Sequence, residues 1–365
     1  MNSLIPFWFI VIAFFWTGFF ILEGFDFGVG MLHSAVGKDD AERRAAINTI
    51  GPLWDGNEVW LIVAGAAMFA AFPGWYATMF SALNLALVLL LAALIARGLS
   101  FEYRGKRDSP RWRRTWDVLL TVSSVLAPLL IGVALGDLVQ GLPINSAQNY
   151  TGSFWDLLQP YGLFTGVTLV LICALHGATF LSLRTTGDMH ERSRALARRI
   201  APVTTAAVIG FAIWTHVAHS DTFFLNPIEL LVILAVFAAM WLVYEHRDGF
   251  AFAATTVTMA SAIVAIFVAL YPNVMVSSTS AANNLTAANT ASPAYPLKVM
   301  SVVAIFLLPV VLVYQAWTYY VFRRRISAAE FQPQATPATP TTSDAALATS
   351  DGARDGARPP ASGPV

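Results

Sequence analysis

Nine long apolar stretches dominate the chain, at residues 7–32, 51–73, 76–99, 116–139, 160–183, 200–219, 226–245, 250–271 and 297–322. The hydrocarbon core of a bilayer is about 30 Å thick, which takes roughly 20 apolar helical residues to cross. Inside hydrocarbon every backbone N–H and C=O must be paired within the spanning structure, leaving helices or a closed barrel. The runs are continuous rather than alternating, which selects helices. The chain therefore reads as an all-α integral membrane protein with nine transmembrane helices. Composition agrees: 56% of the 365 residues are apolar and only 12% charged, too few charges to cover a water-soluble core of this size. The balance of 22 basic and 22 acidic residues lacks the excess that nucleic-acid binding requires. The single cysteine, Cys173, excludes an internal disulfide and a thiolate metal cluster.

Basic residues assign an orientation. Lys38, Arg43 and Arg44 lie between spans 1 and 2, and seven from Arg97 to Arg114 lie between spans 3 and 4. Five from Arg184 to Arg199 follow span 5, Arg247 follows span 7, and Arg323, Arg324, Arg325, Arg354 and Arg358 follow span 9. All basic residues except Lys298 thus fall on one side, which places the N-terminus outside and the C-terminus in the cytoplasm. The first span lacks a basic leader and a small-residue cleavage pattern, so it reads as a retained helix. The outer loop from Ser277 to Pro296 is rich in Ser, Thr, Asn and Ala and is expected to be irregular and exposed. Residues 1–326 form the membrane domain. From Ser327 to Val365 the chain is rich in Pro, Ala, Thr and Ser, a composition that cannot offset its ordering entropy and is expected to be disordered.

Ionisable residues inside the spans carry the functional signal. Glu23 and Asp26 sit in LEGFDFGVG, Asp55 and Glu58 in GPLWDGNEVW, and Arg97 and Glu102 at the end of span 3. A charged carboxylate at a helix centre costs about 3 kcal/mol on insertion scales. At 1.5 Å per residue, Asp55 and Glu58 lie roughly 6–10 Å inside the cytoplasmic boundary. Three consecutive helices thus bring polar groups to one depth, and each acidic pair is spaced i, i+3 to share a face. One reading is a hydrated proton entry from the cytoplasm, since carboxyls exchange protons. Another is a buried ion-pair network that locks helices 1 to 3 together. The histidines complete no metal or haem ligand set, and most tryptophans fit an interfacial aromatic belt.

EGFDFGVGML at 23–32, GPLWDGNEVWLI at 51–62, FAAFP at 69–73, FEYRGK at 101–106, RWRRTWD at 111–117, IGVALGDLVQGLP at 131–143, GLFTGV at 162–167 and YPNVMVSST at 271–279 resemble subunit II of the cytochrome bd quinol oxidases. The resemblance spans about residues 5–326. It implies two four-helix bundles plus one peripheral helix, packed against a haem-bearing subunit I. That partner would hold the b and d haems and the quinol-oxidation loop, while this chain ligates no haem. The complex would oxidise quinol and reduce dioxygen to water in the bacterial plasma membrane. By the same resemblance Glu23, Asp26, Asp55 and Arg97, with Glu58 and Glu102 nearby, line a hydrophilic channel from the cytoplasm. A structural quinone in this chain and a small accessory subunit are open expectations, with no residues assigned to either. Any outer contact through the short 219–226 loop is likewise open. A proton-coupled secondary transporter is the alternative from another class. It would place broken helices and a substrate site near the midplane, whereas here the polar residues gather toward one face.

Overall fold

The computed structural model describes residues 4–219 and 225–332. In chain order these residues form α1 (Leu4–Val36), α2 (Asp40–Asn48), α3 (Trp54–Ala71), α4 (Pro73–Ala82), α5 (Asn84–Tyr103), α6 (Pro110–Gln140), α7 (Pro160–Arg184), α8 (Gly187–His219), α9 (Pro227–Tyr244) and α10 (Asp248–Leu270). A two-stranded antiparallel ribbon, β1 (Asn273–Met275) and β2 (Leu285–Thr286), precedes α11 (Ala287–Thr290) and α12 (Ala294–Val321). The starts are set locally. Proline opens α4, α6, α7 and α9, where its missing N–H is no loss. Asn226 and Glu229 form a reciprocal cap on α9, as Asp39 caps α2 through the Glu42 N–H.

Eight described helices are long and apolar enough to cross a bilayer: α1, α5 to α10 and α12. The stretch at 51–73 forms α3, whose first turns carry Asp55, Asn57 and Glu58; it is 18 residues long and not among the eight. The stretch at 76–99 is not one helix. The chain turns at Phe72 before Pro73, and again at Leu83.

α1 is the hub, packed on α3, α6, α7 and α10. The helices α7, α8, α9 and α10 contact in order, and α10 returns to α7. α5 lies along α6, and α12 touches only α1 and α3 appreciably. Two crossings need glycine. A Cβ at Gly28 would lie 2.0 Å from the Cys173 carbonyl, and one at Gly177 would lie 2.3 Å from the Gly28 carbonyl carbon. The α6–α7 crossing is of the same kind, through Gly132, Gly136, Gly162 and Gly166. Such small-residue contacts let backbones approach where lipid supplies no hydrophobic drive. Trp60 and Trp75 are buried in this core rather than in an interfacial belt, whereas Trp155 and Trp317 are exposed.

The face away from the arginines is closed by a cap, and the expectation of an exposed loop at 277–296 holds only in part: Ser278, Ser280, Ala281 and Tyr295 are exposed, whereas Ser277, Leu285, Ala287 and Thr290 are buried. Val274, Met275, Leu285 and Ala287 are buried. The polar side chains there are spent on backbone. Ser277, Thr279 and Asn283 all donate to the Ile144 carbonyl. A Ser/Thr/Asn-rich composition thus marks internal satisfaction of backbone acceptors as well as solvation.

On the arginine-rich face, the chain after α12 turns back. Ile326 N–H donates to Arg184 O at 2.8 Å, and the Arg184 guanidinium donates to Phe322 O. A 3-10 turn, Ala328–Phe331, packs on α2 with Phe331 under Arg44. Residues 327–332 therefore belong to the folded body, which moves the boundary expected at 327; the remainder of that tail, 333–365, lies outside the described residues. So do residues 220–224 of the short 219–226 loop. Burial pushes the Glu42 carboxyl up, but the Arg192 guanidinium and the backbone N–H groups of Lys38 and Asp39 outweigh it and hold it below the ordinary range.

Gly28→Ala is expected to destabilise the protein by roughly 1–3 kcal/mol or to block its folding, while Gly249→Ala, which meets open space, leaves the thermal unfolding midpoint unchanged. A depressed carboxyl contributes stability above its unfolded pKa and loses it as pH falls through the folded value. Protection of the α2 amides, their exchange rates taken relative to the intrinsic rate at each pH, is therefore expected to fall as pH drops below the ordinary glutamate range, and Glu42→Gln should remove that loss.

Candidate functional site

The first three expected spans do bring ionisable groups together, at the arginine-rich end of the molecule. α1 delivers Glu23 and Asp26, both fully buried. α3 delivers Glu58, whose side chain is 21% exposed. α5 delivers Arg97, also fully buried, six residues or about 9 Å before that helix ends. Arg97 Nη1 touches Glu23 Oε1 and lies 3.7 Å from Glu58 Oε2. Its guanidinium carbon sits 4.8 Å from the Phe27 ring and 5.2 Å from the Phe101 ring. Aromatic faces hold a desolvated cation that would otherwise be expensive to bury.

Asp26 is reached from a different side. Asn57 Nδ2 donates to Asp26 Oδ2 at 2.7 Å and to the Leu22 carbonyl at 3.2 Å. Asn57 Oδ1 accepts from Tyr319 OH at 2.7 Å and from Gln315 Nε2 at 3.0 Å. Among the described residues, Asp26 Oδ1, both Glu23 oxygens and all three Arg97 nitrogens lack a well-formed hydrogen bond. Glu23 and Asp26 also share a side-chain hydrogen bond when one of the two is protonated.

The other two candidates stand apart. Asp55 is exposed and forms no hydrogen bond or ion pair among the described residues, so the α3 pair does not share one buried face. Glu102 is exposed on the wall of a crevice of about 410 Å³, with Asp40, Arg44, Arg104 and Arg113. Trp54 and Phe101, also lining the crevice, have ring centroids 5.0 Å apart. Phe101 faces both the crevice and Arg97, so one ring separates water-accessible space from the buried ion pair.

Beside the crevice lies a second network. Asp117, 4% exposed, accepts from Arg104 Nε at 2.6 Å and lies 3.3 Å from His33 Nε2 and 3.4 Å from Arg43 Nη1. Arg104 also reaches Asp40 at 2.8 Å. These bonds tie together α1, α2, α5 and α6. His33 is thus a buried residue of α1.

Asn57, Gln315, Tyr319, Phe27 and Phe101 were not legible as site residues. Gln315 and Tyr319 carried a faint signal, two polar groups spaced i, i+4 in an apolar helix. No group of three His, Cys, Asp or Glu among the described residues is arranged to hold a metal. A cavity of about 510 Å³ between α3, α4, α5 and α6 is lined by apolar and aromatic side chains.

Arg97→Leu is expected to destabilise the assembled protein by roughly 3–5 kcal/mol, because it leaves Glu23 buried and unpaired. Glu23→Leu combined with Arg97→Leu should recover much of that loss in thermal unfolding.

The family profile described as cytochrome bd terminal oxidase subunit II matches residues 4–322. The cytochrome bd ubiquinol oxidase subunit 2 of Bacillus subtilis (strain 168) is 43% identical, over 90% of this chain and 98% of that one. The cytochrome bd-I ubiquinol oxidase subunit 2 of Escherichia coli (strain K12) is 37% identical, over 88% and 94%. A chain in the structure of bd oxidase from Geobacillus thermodenitrificans shares the fold, with a TM-score of 0.69 at 18% identity over 87% of this chain and 98% of that chain. A profile match over nearly the whole membrane domain, with relatives above 35% identity along most of their length, means that the chain belongs to the cytochrome bd terminal oxidase subunit II family.

Proposed function

We propose that this chain is the non-haem subunit of a quinol:dioxygen oxidoreductase and supplies a proton path from the cytoplasm to a haem-bearing subunit I. The observation that supports this reading is the convergence of Glu23, Asp26, Glu58 and Arg97 from three helices at membrane depth, one aromatic ring from an open crevice. One guanidinium neutralises one carboxylate, and holding all three ionised in a low-dielectric site is costly. The cluster is therefore suited to take up and release protons. Water reaches Glu102 and Asp40 in the crevice; Asp55 and the exposed edge of Glu58 offer a second approach.

In this reading α3 crosses the bilayer as the ninth span, because its polar first turns face Arg97 and Asp26 rather than lipid. α1, α3, α5 and α6 form one four-helix bundle, α7 to α10 the other, and α12 is peripheral. The arginine-rich face is cytoplasmic and the N-terminus lies outside, in the bacterial plasma membrane. The b and d haems belong to the partner subunit. Two of the buried imidazoles, His33 and His176, do not fit haem ligation, since both of their ring nitrogens are engaged with protein groups. No quinone is assigned to the apolar cavity, which offers no convergent polar groups for its head. A transporter reading gains nothing from a polar cluster gathered at one end.

Pulled down through this chain, the complex is expected to show haem absorption and to consume oxygen with quinol. With the complex still assembled, Asp26→Asn should lower turnover and proton uptake roughly hundredfold, the scale of a lost proton-transfer group. Asp55→Asn, at the exposed entrance, should lower them only about threefold, as expected for a surface charge that concentrates protons. Unchanged turnover in both variants would sink the proton-path reading.

A further inference from the structure

The amide of Asn57 has only one orientation open to it. The Leu22 carbonyl can accept but never donate, so the group facing it at 3.2 Å is the amide nitrogen. The second N–H of that nitrogen points at Asp26 Oδ2, 2.7 Å away. Asn57 Oδ1 then faces α12, where it accepts from both Tyr319 OH and Gln315 Nε2. A carbonyl oxygen buried at this depth without donors would be expensive, so the two α12 side chains decide whether the amide stays seated. α12 itself is thinly packed: only Leu297 and Ser301 are buried along its length. Near its start the Trp8 indole donates to Leu297 O and Ser301 Oγ, and near its end Gln315 and Tyr319 meet Asn57. The helix is thus held by polar pins at two places, and one pin bears on the acid cluster.

We propose that Gln315 and Tyr319 are positioning residues, which lock Asn57 as a donor to Asp26 Oδ2 and so leave Oδ1 as the oxygen that takes and gives up the proton. The inference rests on the proton-path reading for its consequence, but the lock itself is a matter of hydrogen bonds. Oδ2 faces an N–H and has no place for a proton of its own. Oδ1 is buried and faces no fixed N–H or O–H donor among the described residues; the hydrogen-bonding neighbour left to Asp26 there is the Glu23 carboxyl, with which it shares a bond when one of the two is protonated. Glu23, Arg97 and Glu58 are the charged groups around it, from α1, α5 and α3; α12 contributes no charge, only donors. Asn57 therefore carries no proton along the path; it directs which oxygen of Asp26 does so.

The test uses the purified two-subunit complex and infrared difference spectra. The band of protonated Asp26 is identified as the one lost in Asp26→Asn. In Tyr319→Phe combined with Gln315→Leu, that band is expected to move to higher wavenumber, because the carbonyl Oδ2 loses its donor. Asn57→Ala should move it the same way, and turnover should fall about tenfold in both, the scale of one hydrogen bond to a charged group. Trp8→Phe removes the other pin of α12 and should leave the band in place. If Trp8→Phe moves the band equally, the effect is general loosening of α12 and the proposal is overturned. It is also overturned if Asn57→Ala moves the band and the α12 variants do not. If the α12 variants move the band while turnover and proton uptake stay at the wild-type level, the lock stands and the proton path through Asp26 does not. The single variants Tyr319→Phe and Gln315→Leu, expected to give smaller shifts of the same sign, cover the case in which the double variant fails to assemble.

Discussion

The pairing of Arg97 with Glu23 is the interaction around which one end of the molecule is organised. Neither residue could sit fully buried at membrane depth alone, since an isolated charge there is worth several kcal/mol of destabilisation. Together they require α1 and α5 to approach at one point, with α3 close enough for Glu58 to share the cation. The rings of Phe27 and Phe101 complete the enclosure of the guanidinium. Asp26, one turn from Glu23, then needs its own donor, and Asn57 supplies it. That bond in turn requires α12 to satisfy the other end of the amide. A chain of polar demands, each passed to the next helix, links α1, α5, α3 and α12.

The glycine crossings explain why α1 can serve as the hub. Gly28 lies two residues after Asp26, and its contact with Gly177 brings the α7 backbone against α1. The acid cluster occupies one side of that stretch of α1 and the close helix crossing the other. The acid cluster and the helix crossing are therefore set by neighbouring residues of one helix, and a substitution that pushed α7 away would also rotate Glu23 and Asp26. The network of Asp117, Arg104, His33 and Asp40 performs a related task at the membrane edge: it fixes the walls of the crevice above Phe101. Its members are mutually paired across several elements, which suits a rigid rim.

How much was legible in advance depended on the range of the interaction. Apolar length and the one-sided arginines are properties of consecutive residues, so the membrane class, most helix positions and the gathering of Glu23, Asp26, Glu58 and Arg97 at one end could be read directly, although the stretch at 76–99 breaks into two helices. Spacing misjudged Asp55: it assumed that residues three apart share a face, but the first turn of α3 leaves Asp55 open while Glu58 turns toward Arg97. The loop at 277–296 was partly misjudged because composition does not reveal a partner. Its Ser, Thr and Asn side chains serve the Ile144 carbonyl, more than 130 residues away in the chain.

The sequence by itself determined that this is a helical membrane protein, where its charges are affordable, and which family it resembles, because insertion into hydrocarbon acts on short consecutive segments. Only the tertiary structure decided which of those charges meet. That Arg97 chooses Glu23, that Phe101 stands between crevice and cluster, and that Gln315 and Tyr319 from the last helix orient an amide on the third all depend on helix rotation. Rotation is set by glycine crossings and buried hydrogen bonds between residues distant in the chain, and no local pattern records it.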